Sequence, residues 1–353
     1  MTPTRPPATS LPEALPHRPP VTRRRRRLAG LGVLAVLVVL GALAGLAVGA
    51  KPLAPGAVWT ALVAPTGTEA DVIVRSLRLP RTVLALVAGA ALGMAGTLVQ
   101  GHTRNPLADP GLLGVSAGAA FAVVLAIYAL GVTEPLGYVW IAFAGALLAS
   151  VVVFALGSAG PGGSTPVTLA LAGAAVTAFL SSLTSAVVLL DVETLDAYRF
   201  WAVGSVAGRG LDVLVPVIPF LVAGAVLALA NGPGLNTLAL GEDVARSLGQ
   251  RVGLTRLVGV AAVTLLTGSA VAMCGPIAFL GLVVPHAVRA LTGPDHRWLL
   301  PTSALAGAAL LVVADVVGRV VVRPGELQVG IVLALVGAPF FVALIRRRRL
   351  VAL

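Results

Sequence analysis

Long runs of apolar residues without a charged side chain alternate with short polar segments along most of the chain. A helix rises about 1.5 Å per residue and the hydrocarbon core is about 30 Å thick, so an uncharged run of roughly 17 to 25 residues can cross a bilayer. Ten such runs predict an all-α integral membrane protein. The predicted spans are 28–50, 82–101, 112–132, 136–157, 165–190, 213–230, 257–273, 276–290, 298–314 and 327–345.

Two of these boundaries depend on glycine and proline. Residues 135–190 carry no charge, and we divide them at Gly157 to Pro166 because dense Gly and Pro break a helix. Residues 257–288 are also uncharged, and form either one long tilted helix or two short helices hinged at Gly275-Pro276. Two helices are favoured, because an even number of crossings places both basic chain ends on one side of the membrane.

The charge of the chain lies in its two ends. Hydrophobic residues make up 58% and charged residues 11%, and the formal net charge is +11. Seven Arg precede residue 28 and four more form Arg346 to Arg349, which leaves 14 cations and 13 acids between them. This pattern follows the positive-inside rule and predicts a multi-pass protein of the cell (inner, cytoplasmic) membrane with both termini cytoplasmic. It excludes nucleic acid as a partner, since no basic face with polar or aromatic readers is present.

The division of the chain follows from the same pattern. Residues 1–27 are rich in Pro and Arg and predict a disordered cytoplasmic tail that membrane lipid can anchor. Residues 28–346 form the ten-helix transmembrane domain, and 347–353 a basic cytoplasmic tail. This orientation leaves eight cations on the outer side, against the charge bias, so we expect several of them to have a specific role. They are Lys51, Arg75, Arg78, Arg81, Arg199, Arg209, Arg319 and Arg323.

Several kinds of chemistry have no support in the sequence. The one Lys, Lys51, is followed by Pro52, so no phosphate-binding P-loop exists. The interiors of the spans hold no ionised residue, which disfavours a self-sufficient secondary carrier. A single cysteine, Cys274, and four scattered His offer no metal-ligand spacing. We therefore expect no enzyme activity, no metal site and no cofactor bound by this chain.

The longest polar segment on the inner side, residues 231–256, contains the pattern of a short helix. Acids in a first turn and a cation in a last turn complement the helix dipole, and glycine suits the cap. The residues in this pattern are Gly241, Glu242, Asp243, Arg246, Leu248 and Gly249. The segment is either a soluble connector or a docking element for a partner that supplies energy.

Arginines recur on the outer side before the second span and after the ninth. Guanidinium groups recognise carboxylates, so a basic rim formed by these residues can dock an acidic partner protein. Alternatively they contact lipid phosphates or the nearby acids Glu69, Asp71 and Glu326. Asp315 is either an interfacial side chain or the partner of Arg319. The arginines of the predicted rim are Arg75, Arg78, Arg81, Arg319 and Arg323.

The fifth span carries hydroxyl side chains around much of one helix. Such residues commonly mark close packing between helices, where the hydroxyl bonds its own backbone. Alternatively this helix lines the pathway of a bulky polar cargo. The hydroxyl residues are Thr177, Ser181, Ser182, Thr184 and Ser185.

Several strings of the sequence together resemble the FecCD-type permease family, the membrane subunits of ABC importers for ferric siderophores, haem and cobalamin. The resemblance covers about residues 58–345. The matching strings are Arg78 to Arg81 (RLPR), Gly89 to Ala120, Ala239 to Gly249, Gly275 to Pro301, Ala314 to Arg319 (ADVVGR) and Glu326 to Pro339. Asn105, Pro106 and Asp109 lie in the strongest of these strings, where we predict a turn with Asp109 capping the helix that follows.

The resemblance implies the type II ABC importer permease fold with about ten helices per subunit. It implies a ferric siderophore importer, with haem or cobalamin as the alternative cargo and a secondary carrier as a remote one. The implied partners are two cytoplasmic ABC ATPases that bind ATP and Mg, a second permease subunit and an extracytoplasmic substrate-binding protein. Residues 241–249 resemble the helices that dock on the ATPases. Arg78, Arg81 and Arg319 match the arginines that dock the binding protein.

One position departs from the family pattern. Gln328 stands where the family usually has Pro, whose fixed backbone angle suits the first turn of a helix. This leaves the start of the last helix open.

Overall fold

The computed structural model describes residues 20–49, 51–132, 134–160 and 164–346, and within these ranges the chain is helical without a β-strand. The helices are α1 (Pro20–Ala47), α2 (Pro55–Val63), α3 (Glu69–Val72), α4 (Leu79–Thr103), α5 (Val115–Leu130), α6 (Pro135–Ser158), α7 (Pro166–Leu190), α8 (Val192–Ala202), α9 (Ile218–Leu238), α10 (Glu242–Ser247), α11 (Val252–Cys274), α12 (Leu280–Thr292), α13 (His296–Val321) and α14 (Val329–Arg346). A π-helical turn, Ile73–Arg78, joins α3 to α4.

Ten apolar helices of this fold correspond one to one to the predicted spans. In the described part of the chain, seven helices are long and apolar enough to cross a membrane. Three shorter apolar helices are Val115–Leu130, Leu280–Thr292 and Val329–Leu344. The predicted all-α fold with about ten membrane helices is therefore confirmed.

The first helix begins earlier than predicted. α1 starts at Pro20, so Arg23 to Arg27 belong to the helix and not to the tail assigned to residues 1–27. Arginine is a good helix former and proline is tolerated in the first turn, so these residues extend the apolar helix at little cost. The rest of that tail, residues 1–19, and the basic tail 347–353 lie outside the described residues.

The two uncertain boundaries are now settled. α11 ends at Cys274 and α12 begins at Leu280, so residues 257–288 form two helices. Gly275 between them has a φ of +73°, a conformation that glycine adopts without strain. α6 ends at Ser158 and α7 begins at Pro166, with 161–163 outside the described residues. α14 begins at Val329, directly after Gln328.

Helix α4 lies at the centre of the bundle and packs most extensively on α13. Glycines allow this contact, because side chains added at Gly89 or Gly93 would overlap the backbone of Gly307 or Ser303 on α13. Small residues four apart let two helix backbones approach closely. The packing brings Arg81, near the start of α4, beside Asp315 near the end of α13.

Short helices outside the spans distinguish the two ends of the bundle. α2, α3 and α8 were not predicted; α8 lies at one end, which we call the α8 end, and α10 marks the opposite, α10 end. Asp191 caps α8, since its carboxylate accepts bonds from the Thr194 N–H at 2.8 Å and hydroxyl at 2.6 Å. These bonds hold the pKa of Asp191 below its usual value.

Candidate functional site

Arginines from two other helices cap the last turn of α1 at the α8 end. Arg78 donates to the carbonyl oxygens of Leu46 at 2.9 Å, Ala47 at 2.7 Å and Lys51 at 2.5 Å. Arg319 donates to the carbonyl oxygen of Gly45 at 2.6 Å. The last carbonyls of a helix lack partners within it and carry partial negative charge. These bonds therefore hold α1 against α4 and α13.

A buried ion network joins α4, α13 and the segment that precedes α14. The Arg81 guanidinium binds both oxygens of Asp315, with Nε 2.9 Å from Oδ1 and 3.1 Å from Oδ2. The Arg81 Nη1 lies 2.5 Å from Glu326 Oε2, and Arg319 Nε lies 3.0 Å from Asp315 Oδ2. Asp315 and Arg319 are each 1% exposed. Asp315 is thus the partner of Arg319, one of its two predicted roles.

The predicted docking arginines therefore do not form an open rim in this conformation. Arg78 is 5% exposed and Arg81 9%, and Arg319 is buried more deeply. All three bind acceptors within the chain. The cations that are exposed at this end are Lys51, Arg75, Arg199 and Arg323. Lys51 pairs with Glu69 at 2.5 Å and Arg199 with Asp196 at 3.1 Å, whereas Arg75 and Arg323 have no carboxylate within 4 Å among the described residues.

Two adjoining cavities open at the α8 end. The mouth cavity, of about 530 Å³, has Lys51, Arg78, Arg81, Arg209, Arg319 and Glu326 as its charged lining residues. The side cavity, of about 390 Å³, is lined by the aromatic residues Tyr138, Phe200 and Trp201. Arg81, Arg209 and Glu326 line both cavities. A predominantly basic surface of this kind attracts anionic groups.

The hydroxyl residues of α7 divide between two environments. Ser181, Ser182 and Ser185 are exposed and Thr177 is half-buried, whereas Thr184 is buried and donates to the carbonyl oxygen of Leu180 at 2.8 Å. Thr184 therefore has the packing role. Ser182 also donates to a backbone carbonyl oxygen, that of Ala178 at 2.9 Å, and the three serines lie on a side of α7 that this chain does not cover.

The short helix α10 occurs where the sequence predicts it. Gly241 and Gly249 flank it with φ values of +107° and +81°, which explains glycine at both positions. Glu242 binds Arg256 of α11, and that arginine also donates to the carbonyl oxygen of Ser164 before α7. The first residue of α10 is thereby fixed to two transmembrane helices.

The outer surface of α10 combines charged and apolar side chains. Arg246 lies 3.3 Å from Glu242 and 3.5 Å from Asp243, and Asp243 is fully exposed. Leu240 and Leu248 are each 64% exposed, with Val244 between them also exposed. Apolar side chains in such a patch on a polar segment are typical of a protein contact surface.

The connection between α4 and α5 forms the predicted turn. The Asp109 carboxylate accepts a bond from the Gly111 N–H at 2.9 Å and so caps a 3-10 turn, Pro110–Leu113. Burial raises the pKa of Asp109. The Asn105 side chain accepts a bond from the Leu107 N–H at 2.9 Å.

Sequence reasoning missed three features of these sites. It did not pair Arg81 with Asp315, identify Arg209 as lining both cavities, or identify Leu240 and Val244 as parts of the exposed patch. The first two involve residues distant in the sequence, for which the chain gives no local signal. The patch was detectable, since its members recur every fourth residue.

Comparisons with known proteins agree with this architecture. Residues 36–347 match the FecCD transport family. The ferric enterobactin transport system permease protein FepD of Escherichia coli (strain K12) is 50% identical over 325 residues, 92% of this chain and 96% of its own length. The cobalamin import system permease protein BtuC of Halobacterium salinarum is 41% identical, covering 95% of this chain and 91% of its own length.

A solved structure shares the fold. It shows an inward-facing conformation of an ABC transporter described as metal-chelate type, and it superposes with a TM-score of 0.79 and 29% identity. The match covers 91% of this chain and 99% of that chain.

Proposed function

The chain belongs to the FecCD transport family, and on that premise we propose that it is the permease subunit of a binding-protein-dependent ABC importer for a ferric siderophore. The observation that carries this proposal is the placement of two different surfaces at opposite ends of one helical bundle. The α8 end has the basic mouth cavity, and the α10 end has the exposed apolar patch of α10. An importer needs an entry for cargo at one end and a contact for an energy-supplying partner at the other.

The energy comes from two cytoplasmic ATPase subunits, which bind ATP and Mg. Their closure moves α10, whose exposed residues Leu240, Val244 and Leu248 provide the contact. Glu242 has a different part, because its bond to Arg256 transmits the movement into α11 and towards α7. This places α10 and both chain termini on the cytoplasmic side.

A second permease subunit completes the path. The uncovered side of α7 supports this, since Ser181, Ser182 and Ser185 are exposed on an otherwise apolar helix. Ser182 donates to the carbonyl oxygen of Ala178 at 2.9 Å, and a water-filled path between two subunits supplies the exposed hydroxyls with further hydrogen bonds that lipid tails do not provide. Thr184 packs within the chain.

The extracytoplasmic binding protein docks at the α8 end. The family pattern assigns this role to Arg78, Arg81 and Arg319, which here are buried and bound to internal acceptors. Arg75 and Arg323 are exposed beside them, without a carboxylate within 4 Å among the described residues. We propose that these two make the first contact with acidic residues of the binding protein.

The cargo assignment rests on the ferric enterobactin permease, which is 50% identical over almost the whole chain. A cobalamin importer is the second candidate, favoured by a cobalamin permease that is 41% identical over a similar length. Both cargoes are large polar chelates, so the mouth cavity of about 530 Å³ does not distinguish between them.

Uptake in living cells tests the proposal. Cells that lack this chain and any redundant iron importer are given radio-iron chelates, with and without restoration of the chain. We expect loss and recovery of uptake for one class of ferric chelate, and no uptake when the ATPase carries an inactivating substitution. Unchanged iron uptake together with loss of labelled cobalamin uptake would assign the second cargo.

A further inference from the structure

Arg209 lies on a segment that the fold holds rigidly over the end of α11. The Ser205 N–H donates to the carbonyl oxygen of Cys274 at 2.7 Å, and the Gly330 N–H donates to that of Gly204 at 3.1 Å. Gly204 has a φ of +74°, and a side chain there would overlap the backbone of Pro276. The segment that leads to Arg209 is therefore attached to both α11 and α14.

Arg209 forms no ion pair among the described residues. Its Nη1 donates to the carbonyl oxygen of Met273 at 2.5 Å, and no carboxylate lies within 4 Å of it in that part of the chain. Arg81 and Arg319, which line the same mouth cavity, both bind Asp315. Glu326, the acid that lines both cavities with Arg209, pairs with Arg81, so the half-buried Arg209 is the cavity arginine whose charge is least offset by a direct contact.

Arg209 lines both the mouth cavity and the side cavity. A molecule that passes between the two cavities therefore comes close to the charge of this residue. The side cavity adds the exposed aromatic ring of Phe200, while Tyr138 and Trp201, which also line it, are largely buried. A guanidinium group recognises oxyanions, and both it and aromatic rings stack on planar π systems. The two together suit an anionic ligand with aromatic groups.

We propose that Arg209 is a charge-selecting residue of the mouth, which favours anionic ferric chelates, catecholates above all, over neutral ones. This inference rests on the proposed import function and names its substrate class. Ferric iron with three catecholate dianions is trianionic, whereas ferric iron with three hydroxamate monoanions is neutral. A single positive group in a partly enclosed cavity therefore distinguishes the two by charge, independently of their similar size.

The test uses the complete importer, with its ATPases and binding protein, in proteoliposomes loaded with ATP. The probes are a radio-iron tricatecholate and a radio-iron trihydroxamate, each added directly and through the binding protein. The variants are Arg209→Gln, Arg209→Lys and the matched control Arg297→Gln, an exposed arginine at the α10 end of α13. ATP hydrolysis and the elution profile of each purified variant show that it is assembled.

We expect Arg209→Gln to lower the initial import rate of the tricatecholate about tenfold and that of the trihydroxamate less than about twofold. Arg209→Lys keeps the charge and should retain most of the rate, and Arg297→Gln should match the unaltered protein. For the tricatecholate added directly, without the binding protein, salt should slow import by the unaltered protein more than import by Arg209→Gln, because screening removes the same attraction.

Other outcomes overturn the inference in distinguishable ways. An equal loss for both probes in Arg209→Gln means that the residue is structural, and an unchanged tricatecholate rate means that its charge is not used. Import of the trihydroxamate alone leaves iron import standing and refutes anion selection. If only the tricatecholate is imported, an import rate that depends equally on salt in Arg209→Gln and in the unaltered protein refutes anion selection by Arg209. Import of neither probe despite ATP hydrolysis refutes the proposed function itself.

Discussion

Asp315 is a carboxylate at 1% exposure whose oxygens bind two arginines, Arg81 and Arg319. A buried ion is tolerated only when partners replace its lost water, and the bidentate contact with Arg81 meets this condition. Removal of the acid leaves Arg319 without its buried counter-charge and Arg81 with Glu326 alone. The residue therefore stabilises the α8 end by joining α4 to α13.

We expect Asp315→Asn to destabilise the protein by about 3–5 kcal/mol, the range for breaking a buried ion pair. Thermal unfolding in detergent, followed by fluorescence, measures the change. Glu69→Gln is the matched control, because it removes an exposed partner of Lys51 and should cost no more than about 1 kcal/mol. Equal unfolding temperatures for the two variants would show that the network contributes little.

At the scale of the element, the short helix α10 is attached to the bundle by one set of residues and presents another set for contact with a partner. Glu242 points to Arg256 within the chain, while Leu240, Val244 and Leu248 are exposed. Exposure of an apolar side chain to water is unfavourable, and burial against a partner lowers the free energy. Attachment and partner contact therefore use different faces of the same helix.

Leu248→Asp should weaken association with the ATPase at least about tenfold, since a charge replaces an apolar contact. Co-purification in detergent, with the ATPase titrated, measures the affinity. Ser247→Ala, on the same helix and also exposed, should bind normally. Glu242→Gln should instead retain binding while uncoupling ATP hydrolysis from transport. Normal ATPase affinity of Leu248→Asp would exclude the patch as the contact.

At the scale of the whole molecule, the two ends of the bundle differ in which charges remain available. At the α8 end the buried arginines cap α1 and bind Asp315, while Arg75 and Arg323 stay exposed. A charge reversal at Arg78 or Arg81 would thus break internal bonds as well as any docking contact. Substitution of the exposed residues Arg75 and Arg323 therefore tests docking without breaking the internal bonds that stabilise the protein.

The double variant Arg75→Glu with Arg323→Glu should lower the affinity for the binding protein about tenfold, because like charges then face its acidic residues. Binding to the permease in lipid nanodiscs measures this. Arg297→Glu, exposed at the opposite end, is the control and should bind normally. Unchanged affinity of the double variant would return the docking role to Arg78, Arg81 and Arg319.

Periodicity and composition along the chain determine much of this protein. They predict the apolar helices, the short helix α10 and the turn capped by Asp109, because these depend on hydrophobicity and backbone preference within a few residues. The break at Gly275-Pro276 is favoured over one long helix by the even number of crossings that two basic chain ends require. The resemblance to the FecCD family is equally a property of the sequence.

The tertiary structure alone decided what the charged residues do. Arg81 and Asp315 are 234 residues apart in the sequence. The sequence shows arginines at the predicted rim, but the same residues could bind a partner protein or acids of their own chain. The glycine-mediated packing of α4 on α13 brings the two side chains together in a buried site. Lateral packing of helices, which local patterns do not encode, thereby divides the arginines into buried, bound groups and exposed, available ones.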